Sequence, residues 1–312
     1  MSPVILLGPQ GPRPNLPQTL AALDVPGPIA TVTAGWEERE TEDADLDTDV
    51  GGATLNLQLF RRWVDVLHHD PEYHDAVRRR DVVLEEMQEI YALRLDHAME
   101  AVYAVQRRGG HPEVHDNELT DSIDAVRALD EHHFTVTRDV YAEFYELWPP
   151  HSRVGVAAHR DEVAAMVGRA GSVAIAGGHV GVLQACLHMF NVGAALGDRP
   201  VVAWSAGAMA ISERIVLFHD RAPQGAAHAA VFDAGIGLCS GVLPFPDAKR
   251  RLLLQDRDRM SVLARRFAPL ACVALDEGTR AVTDADGRLS LAGARVIQAD
   301  GRTTTTPAGE AA

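Results

Sequence analysis

The residue with the clearest potential for chemistry in this sequence is Ser205. It stands in the segment Ala203-Trp204-Ser205-Ala206-Gly207-Ala208, directly after the apolar run 201–204. A serine in a sharp strand-to-helix turn can act as a nucleophile, and small residues two positions to either side let the strand and helix approach. Backbone N–H groups of the following helix can stabilise an oxyanion. The same pattern is also typical of a serine N-cap on a tightly packed helix, so the local sequence leaves both interpretations open.

A second loop has a composition suited to the same site. Gly177 and Gly178 directly follow the apolar run 172–176, and paired glycines after a strand let the backbone approach a ligand closely. The N–H of Gly178 or of His179 is a candidate second oxyanion donor; the alternative is a plain turn between strand and helix. Because ligands bind at the carboxyl ends of parallel strands, we expect this loop and the Ser205 loop to meet.

The elements around these loops predict an α/β fold with a mostly parallel, doubly wound sheet. Continuous apolar runs, typical of strands buried on both faces, begin with Pro3–Gly8 and Ile29–Ala34. The further predicted elements are strands at 154–158, 172–176, 201–204, 216–218 and 271–275, a helix at 257–267, and a hairpin around Asp284–Gly287.

The segment between these two series of strands has a different character. Long helical patterns cover 53–107 and 117–148, and Gly109-Gly110-His111-Pro112 separates them. We expect a helical hairpin that covers the site or forms a homodimer contact. The predicted organisation is an α/β domain of residues 1–52 and 149–300, a helical insertion of residues 53–148, and a disordered tail of residues 301–312.

Three segments together resemble the cyanophycinase and dipeptidase E family of serine peptidases. They are Ala176-Gly177-Gly178, Trp204-Ser205-Ala206-Gly207-Ala208 and Leu275-Asp276-Glu277-Gly278-Thr279, and the similarity extends over roughly 1–35 and 153–300. The resemblance implies a class I glutamine amidotransferase-like fold with Ser205 as the nucleophile. It also implies hydrolysis of a peptide or isopeptide bond, often beside an acidic residue.

The resemblance further assigns roles around the serine. It implies that Gly178 and Ala206 donate the oxyanion N–H groups and that Asp220 is the acidic partner of the catalytic residues. The candidate oxyanion and substrate-binding set is Gly177, Gly178, Ala206, Asp247 and Glu277.

The sequence departs from the family at the catalytic base. Where the family has its histidine, after a later strand, this chain has Asp247. A carboxylate is too weakly basic at neutral pH to replace imidazole. The candidates that remain for the base are His228, His179 and His219. The first hypothesis is therefore a serine hydrolase of a peptide-like amide with an incomplete triad. The alternative is a catalytically silent relative that binds through the pocket and the insertion.

Composition limits the partners. The formal net charge of −15 disfavours binding to nucleic acid or to anionic membranes. The three cysteines Cys186, Cys239 and Cys272 form no CxxC pair, so we interpret them as small buried residues of a cytoplasmic protein. The expected substrate is a small peptide or an amino-acid derivative.

We expect neither a metal nor a cofactor. A di-iron bundle needs Glu-x-x-His repeats on separate helices, and only Asp130-x-x-His133 comes close, so a helical metal-binding module is the weakest hypothesis. Gly8–Pro12 follows the first strand but lacks a nucleotide-binding fingerprint.

Overall fold

The structure is a computed structural model that describes residues 2–12, 14–221, 227–283, 289–290 and 294–305. Its strands are β1 (Val4–Leu7), β2 (Ile29–Val32), β3 (Thr54–Asn56), β4 (Ser172–Ile175), β5 (Val201–Trp204), β6 (Arg214–Leu217), β7 (Ala230–Ala234), β8 (Val242–Pro246), β9 (Ala271–Leu275), β10 (Arg280–Thr283), β11 (Leu289–Ser290), β12 (Arg295–Ile297) and β13 (Thr303–Thr305).

Helices cover the faces of these strands and form the middle of the chain. They are α1 (Leu16–Ala21), α2 (Ala44–Asp49), α3 (Leu59–His69), α4 (Pro71–Arg108), α5 (Pro112–Leu147), α6 (Val154–Arg169), α7 (Val180–Met189), α8 (Val192–Leu196), α9 (Ala206–Ala210), α10 (Ala248–Arg251) and α11 (Arg257–Phe267). Short 3₁₀ segments lie at Ala34–Arg39 and Pro150–Ser152.

The central sheet has the strand order β11-β10-β1-β5-β4-β2-β3. The five strands from β1 to β3 in that order are parallel, and β10 and β11 are antiparallel. Every residue of β1, β4 and β5 is buried, as expected for apolar strands covered on both faces. The prediction of a mixed α/β fold with a mostly parallel sheet is therefore confirmed.

The sheet register brings two chain turns to one edge. Leu7 pairs with Trp204 and Ile175 pairs with Ala203, so β1, β4 and β5 end at nearly the same level. The glycine turn after β4 and the serine turn after β5 therefore lie next to each other.

Two smaller sheets complete this region. A second sheet has the order β13-β12-β9-β8, in which β8 and β9 are parallel, and β6 pairs with β7 in an antiparallel hairpin. These strands place the chain segments that follow β6 and β8, and the segment that precedes β7, close to the end of β5.

The helical insertion packs over this side of the molecule. Helices α4 and α5 follow one another through the turn at Gly109 and Gly110, both of which have positive φ. The buried face of the two helices belongs to the same hydrophobic cluster as Phe218, Val231 and Phe245 of the α/β part. The residues of that face include Tyr91, Leu95, Met99, Val102, Leu119, Ile123, Val126 and Leu129.

Three segments differ from the sequence predictions, and a fourth prediction lies outside the described residues. The predicted strand 154–158 is the first part of α6, whose buried residues Val156, Val163 and Val167 follow helical spacing. Thr54–Asn56, inside the predicted helical insertion, is the edge strand β3. Thr303–Thr305, inside the predicted disordered tail, pairs with β12. The predicted hairpin around 284–287 lies outside the described residues.

Candidate active site

Ser205 has a strained backbone. Its φ of 53° and ψ of −126° lie in a region that residues with a Cβ rarely occupy. It directly follows β5 and precedes α9, and its N–H donates to the Leu7 carbonyl at 3.3 Å. Its own carbonyl accepts from the Ala208 N–H at 3.0 Å, which begins the helical turn. This conformation turns the serine side chain out of the strand, as in a nucleophile elbow.

Glycines around Ser205 make this conformation sterically feasible. A Cβ on Gly177 would lie 2.6 Å from the Ser205 Cβ and 3.1 Å from the Ala206 nitrogen. A Cβ on Gly207 would clash with the Ile175 carbonyl oxygen. The two glycines therefore let β4, β5 and α9 approach until the Ser205 and Gly178 turns are in contact.

A third glycine supports the turn after β4. Gly178 has a φ of 118°, and a Cβ there would clash with the Gly35 carbonyl. That carbonyl accepts a 2.7 Å hydrogen bond from the His179 N–H. The role of Gly35 was not predicted from the sequence, although its position directly after the apolar run 29–34 and before Trp36 was a usable signal.

Ser205 lies in a cavity of about 680 Å³, here called the Ser205 cavity. Its floor is formed by residues at strand ends: Pro9, Gly178, Ser205, Ala206, Pro246 and Asp247. Gly178 and Ala206, the predicted oxyanion donors, are thus on the same surface as the serine. The first amides of a helix have no partner within that helix, which leaves the Ala206 N–H open to a ligand.

The helical insertion forms another wall of the Ser205 cavity. Ala92, Leu95 and Asp96 of α4 line it, and Asp96 adds a carboxylate. None of these three residues was predicted from the sequence to belong to the site. The apolar stripe on α4 was a signal for burial, but it did not say what the helix would cover.

Two of the three candidate histidines line the Ser205 cavity. His219 lies after β6 and is exposed, whereas His228 lies before β7 and is half-buried. His179 lines a different cavity, and its Nδ1 accepts the Val182 N–H at 3.2 Å as the cap of α7. The structure therefore brings His219 and His228, but not His179, into the cavity of the serine.

The surroundings of His228 favour its neutral form. Burial lowers the pKa of its imidazole, the positive charge of Arg259 lowers it further, and the Asp96 carboxylate acts in the opposite direction. The ring stacks on Tyr103 with the ring centres 5.8 Å apart. Its Nδ1 is buried and, among the described residues, has no hydrogen-bond partner. A neutral imidazole near pH 7 is the form that accepts a proton.

Asp220, the predicted acidic partner, does not line the Ser205 cavity. One carboxylate oxygen pairs with Arg259 at 2.6 Å and the other accepts the Leu253 N–H at 2.9 Å. The Asp220 N–H in turn donates to the Arg251 carbonyl. Asp220 therefore anchors the chain after β6 to the segment around 251–253, and this anchor fixes the position of His219.

Asp247 lies in the Ser205 cavity, at the end of β8. Its φ of 57° is left-handed, its N–H donates to the Leu275 carbonyl at 2.9 Å, and its carboxylate lies 3.3 Å from Arg250. The Asp276 carboxylate accepts the Lys249 N–H at 2.8 Å and pairs with Arg295 at 3.0 Å. Asp276 therefore holds the turn that presents Asp247.

Glu277 and Arg251 complete the set. Glu277 is exposed on the turn after β9, and its carboxylate faces Gly11 rather than the Ser205 cavity. Arg251 lines the cavity, and its guanidinium lies 5.8 Å from the centre of the Phe218 ring. Arg251 was not predicted to be a site residue, because a short basic run is most often a solvated helix face.

A buried polar network fixes the strand that follows His228. Arg266 forms a two-pronged ion pair with Asp130, with both N–O distances at 2.7 Å, and also donates to the Ala229 carbonyl at 2.6 Å. The Tyr91 hydroxyl donates to Asp130 at 2.7 Å and accepts the Val231 N–H at 3.1 Å. Both insertion helices and α11 are thereby tied to the start of β7.

The only histidine–carboxylate spacing that suggested a metal has a structural role. Asp130 pairs with Arg266, while His133 stacks on Tyr91 and lies 2.9 Å from the Gln88 side chain. Within the described residues, no group of three or more potential ligands could hold a metal ion.

No helix in the described parts of the chain is both long and apolar enough to cross a membrane. All three cysteines are buried and free.

Comparisons with known proteins add little. No protein-family profile matches the chain. No curated protein matches it either. Among solved structures, a peptidase from an acI-B1 Actinobacterium aligns with 99% of this chain and 96% of its own, at 12% identity and a TM-score of 0.49. A similarity at this level does not show what the chain does.

Proposed function

We propose that this protein is a hydrolase that uses Ser205 as the nucleophile on a peptide-like amide bond. The observation that carries the proposal is the strained Ser205 backbone at the carboxyl end of β5, inside a cavity that Gly178 and Ala206 also line. Backbone strain at a polar residue is costly, roughly 1–3 kcal/mol, and it concentrates at functional sites. A serine that only capped a helix would have ordinary extended backbone angles.

The reaction would proceed through an acyl-enzyme. The Ser205 hydroxyl attacks the substrate carbonyl carbon, its proton passes to a base, and the carbonyl oxygen becomes an oxyanion. The N–H groups of Gly178 and Ala206 are the proposed donors to that oxyanion. The protonated base then gives its proton to the leaving amine, and water hydrolyses the ester with the base acting again.

We assign the base to His228. It lines the Ser205 cavity, burial favours its neutral form, and the Arg266 and Tyr91 hydrogen bonds hold the residues that follow it. His219 also lines the cavity, but its side chain is exposed. The proposed mechanism therefore differs from that implied by the family resemblance, in which the histidine would stand at the position of Asp247.

The family resemblance remains part of the proposal. A member of the cyanophycinase and dipeptidase E family, with an amidotransferase-like fold, would hydrolyse a small peptide or isopeptide. The cavity of about 680 Å³ is large enough for such a substrate. Arg251 gives it a positive charge next to the carboxylates of Asp96 and Asp247.

Two observations favour the alternative of a catalytically silent binding protein. The Asp247 carboxylate lies in the Ser205 cavity, and the Asp220 carboxylate is occupied by Arg259. In that case the cavity would bind the same class of small molecule without cleaving it.

A fluorophosphonate probe tests the proposal, because it reacts with activated serines. We expect the wild-type protein to be labelled and the Ser205→Ala variant not to be. The matched control is Ser122→Ala, a half-buried serine of α5 outside the Ser205 cavity, which should be labelled like the wild type. Absence of labelling in the wild type, or labelling that survives in Ser205→Ala, would contradict the hydrolase and favour the silent binding protein.

A further inference from the structure

A second cavity, of about 620 Å³, lies between the helical insertion and the α/β part of the molecule. It is called the Asp233 cavity here. Residues of α4, α5, α7 and β7 line it, and Ala92 of α4 lines both this cavity and the Ser205 cavity. The His179 turn, between Gly178 and Gly181, lies at the boundary between the two. Nothing in the reaction proposed for Ser205 uses this cavity.

The walls of the Asp233 cavity are aromatic. Trp63 of α3, Tyr141 of α5 and Phe232 of β7 line it from three sides. The faces of aromatic rings carry negative electrostatic potential and attract cations. The resident Arg80 guanidinium already uses this property, because it lies 5.1 Å from the centre of the Tyr141 ring and 4.5 Å from that of Phe144.

The charge of the Asp233 cavity is strongly negative. Among the described residues, Arg80 is the only arginine or lysine that lines it, and Arg80 is paired with Asp81 at 2.6 Å. The described lining therefore holds three further carboxylates, Glu85, Glu89 and Asp233, and no second arginine or lysine to match them. Glu85 and Glu89 are exposed at its mouth, whereas Asp233 is only 5% exposed.

The buried Asp233 carboxylate destabilises the folded protein when it is ionised. Burial raises the pKa of its carboxyl to about 6, although the Ala234 N–H donates to it at 2.7 Å and the Tyr141 hydroxyl also donates to it. An ionised carboxylate in such a place is stable only when a cation accompanies it. Arg80 reduces the cost but is itself committed to Asp81.

We propose that the Asp233 cavity binds an alkylammonium group, with Asp233 as the counter-charge and Trp63, Tyr141 and Phe232 as the aromatic walls. An alkylammonium ion fits both features, because its charge pairs with the carboxylate and its alkyl chain packs on the rings. The proposal concerns binding alone and does not depend on Ser205 being reactive.

The test is calorimetric titration of the full chain with butylammonium chloride at pH 7.5. We expect saturable binding of butylammonium and no binding of butyrate, which has the same chain with the opposite charge. Asp233→Asn should weaken binding by at least about 10-fold, because it removes the negative charge that pairs with the ammonium group. The matched control, Glu86→Gln on the exposed surface of α4 outside the cavity, should bind like the wild type.

Two results would overturn the inference. One is wild-type protein that shows no saturable binding or that binds butyrate equally well. The other is an Asp233→Asn variant with a native circular dichroism spectrum and unchanged affinity. A Glu85→Gln, Glu89→Gln double variant keeps the buried acid and should lose less affinity than Asp233→Asn. The binding test does not depend on the reactivity of Ser205. Ser205→Ala should bind butylammonium normally whether or not the wild type reacts with a fluorophosphonate.

Discussion

The Ser205 cavity and the Asp233 cavity share Ala92 as a wall but are built by different means. Backbone geometry makes the first: a serine with positive φ and glycines that allow neighbouring strand ends to touch. Side-chain burial makes the second: aromatic rings and a buried acid between inserted helices and a sheet hairpin. Strained backbone suits a group that must react, and a buried carboxylate whose charge Arg80 only partly offsets suits a group that binds a counter-ion. Variants that affect one cavity and spare the other test this division.

The largest expected effect is on reaction rate, from His228→Ala. Loss of the proposed base should reduce amide hydrolysis by roughly 10²- to 10⁴-fold, measured as kcat/KM on a small peptide substrate. His219→Ala should change the rate by less than about 10-fold, because it removes no proposed catalytic group. Binding of butylammonium should be unchanged in both variants.

The pH profile provides a second check on His228. Burial and Arg259 lower the pKa of its imidazole from the ordinary histidine value of 6.5. The rate should therefore decrease toward acid with a midpoint below pH 6.5. A larger rate loss in His219→Ala than in His228→Ala would contradict the assignment of the base.

The next largest effect is a loss of stability that should affect both cavities. Asp130→Ala leaves the Arg266 guanidinium buried without its carboxylate, which should lower the free energy of unfolding by about 3–5 kcal/mol. Urea unfolding measures this loss. Since Arg266 and Tyr91 hold the start of β7, both the labelling of Ser205 and the binding of butylammonium should weaken.

The matched control for the network removes both charges at once. Asp130→Leu with Arg266→Met places apolar groups in the same space and should recover most of the lost stability. A single Asp130→Ala variant that costs less than about 1 kcal/mol would mean that the ion pair does not hold the insertion to β7.

A smaller effect, confined to the Ser205 cavity, is expected from Gly177→Ala. The new Cβ would lie 2.6 Å from the Ser205 Cβ, so the serine turn must shift. We expect fluorophosphonate labelling to slow by more than about 10-fold and the free energy of unfolding to fall by about 1–3 kcal/mol. Gly168→Ala, in α6 with nothing within 4 Å of the added Cβ, should instead be neutral or stabilise by up to about 1 kcal/mol. Equal labelling of the two variants would contradict the role given to Gly177.

The part of the site made by backbone was predictable from the sequence. Small residues around Ser205 and paired glycines after an apolar run carry local signals, because strand ends and tight turns restrict residue type. The strand at 201–204, the helix at 257–267 and the strand at 271–275 were predicted with their observed bounds. The run at 154–158 was not, because a short apolar stretch suits a strand and a buried helix alike.

The part made by long-range packing could not be predicted. Asp96 and Asp233 are far from Ser205 in the chain, and nothing local distinguishes them from the many other acids of this sequence. Only the fold shows that α4 covers the Ser205 cavity and that β7 carries a buried carboxyl. The same limit applies to Asp220, whose expected role came from the family resemblance and whose carboxylate pairs with Arg259 in the structure.

The smallest expected effect is a gain in stability, from Asp233→Asn. Since the pKa of Asp233 is raised from 3.8 to about 6 in the folded protein, the folded state binds the proton more tightly than the unfolded state between those values. Stability from this group is therefore greatest below pH 3.8 and falls as pH rises through 6.

At pH 7.5 the charged carboxylate costs up to about 3 kcal/mol, at 1.36 kcal/mol per pH unit, so the variant should gain about 1–3 kcal/mol in urea unfolding. The gain should shrink to less than half near pH 4.5, and saturating butylammonium should reduce it at pH 7.5 by stabilising the wild type alone. A variant less stable than the wild type at pH 7.5 would mean that the carboxylate already has a sufficient partner within the fold, and the cavity would then have no unmet need for a cation.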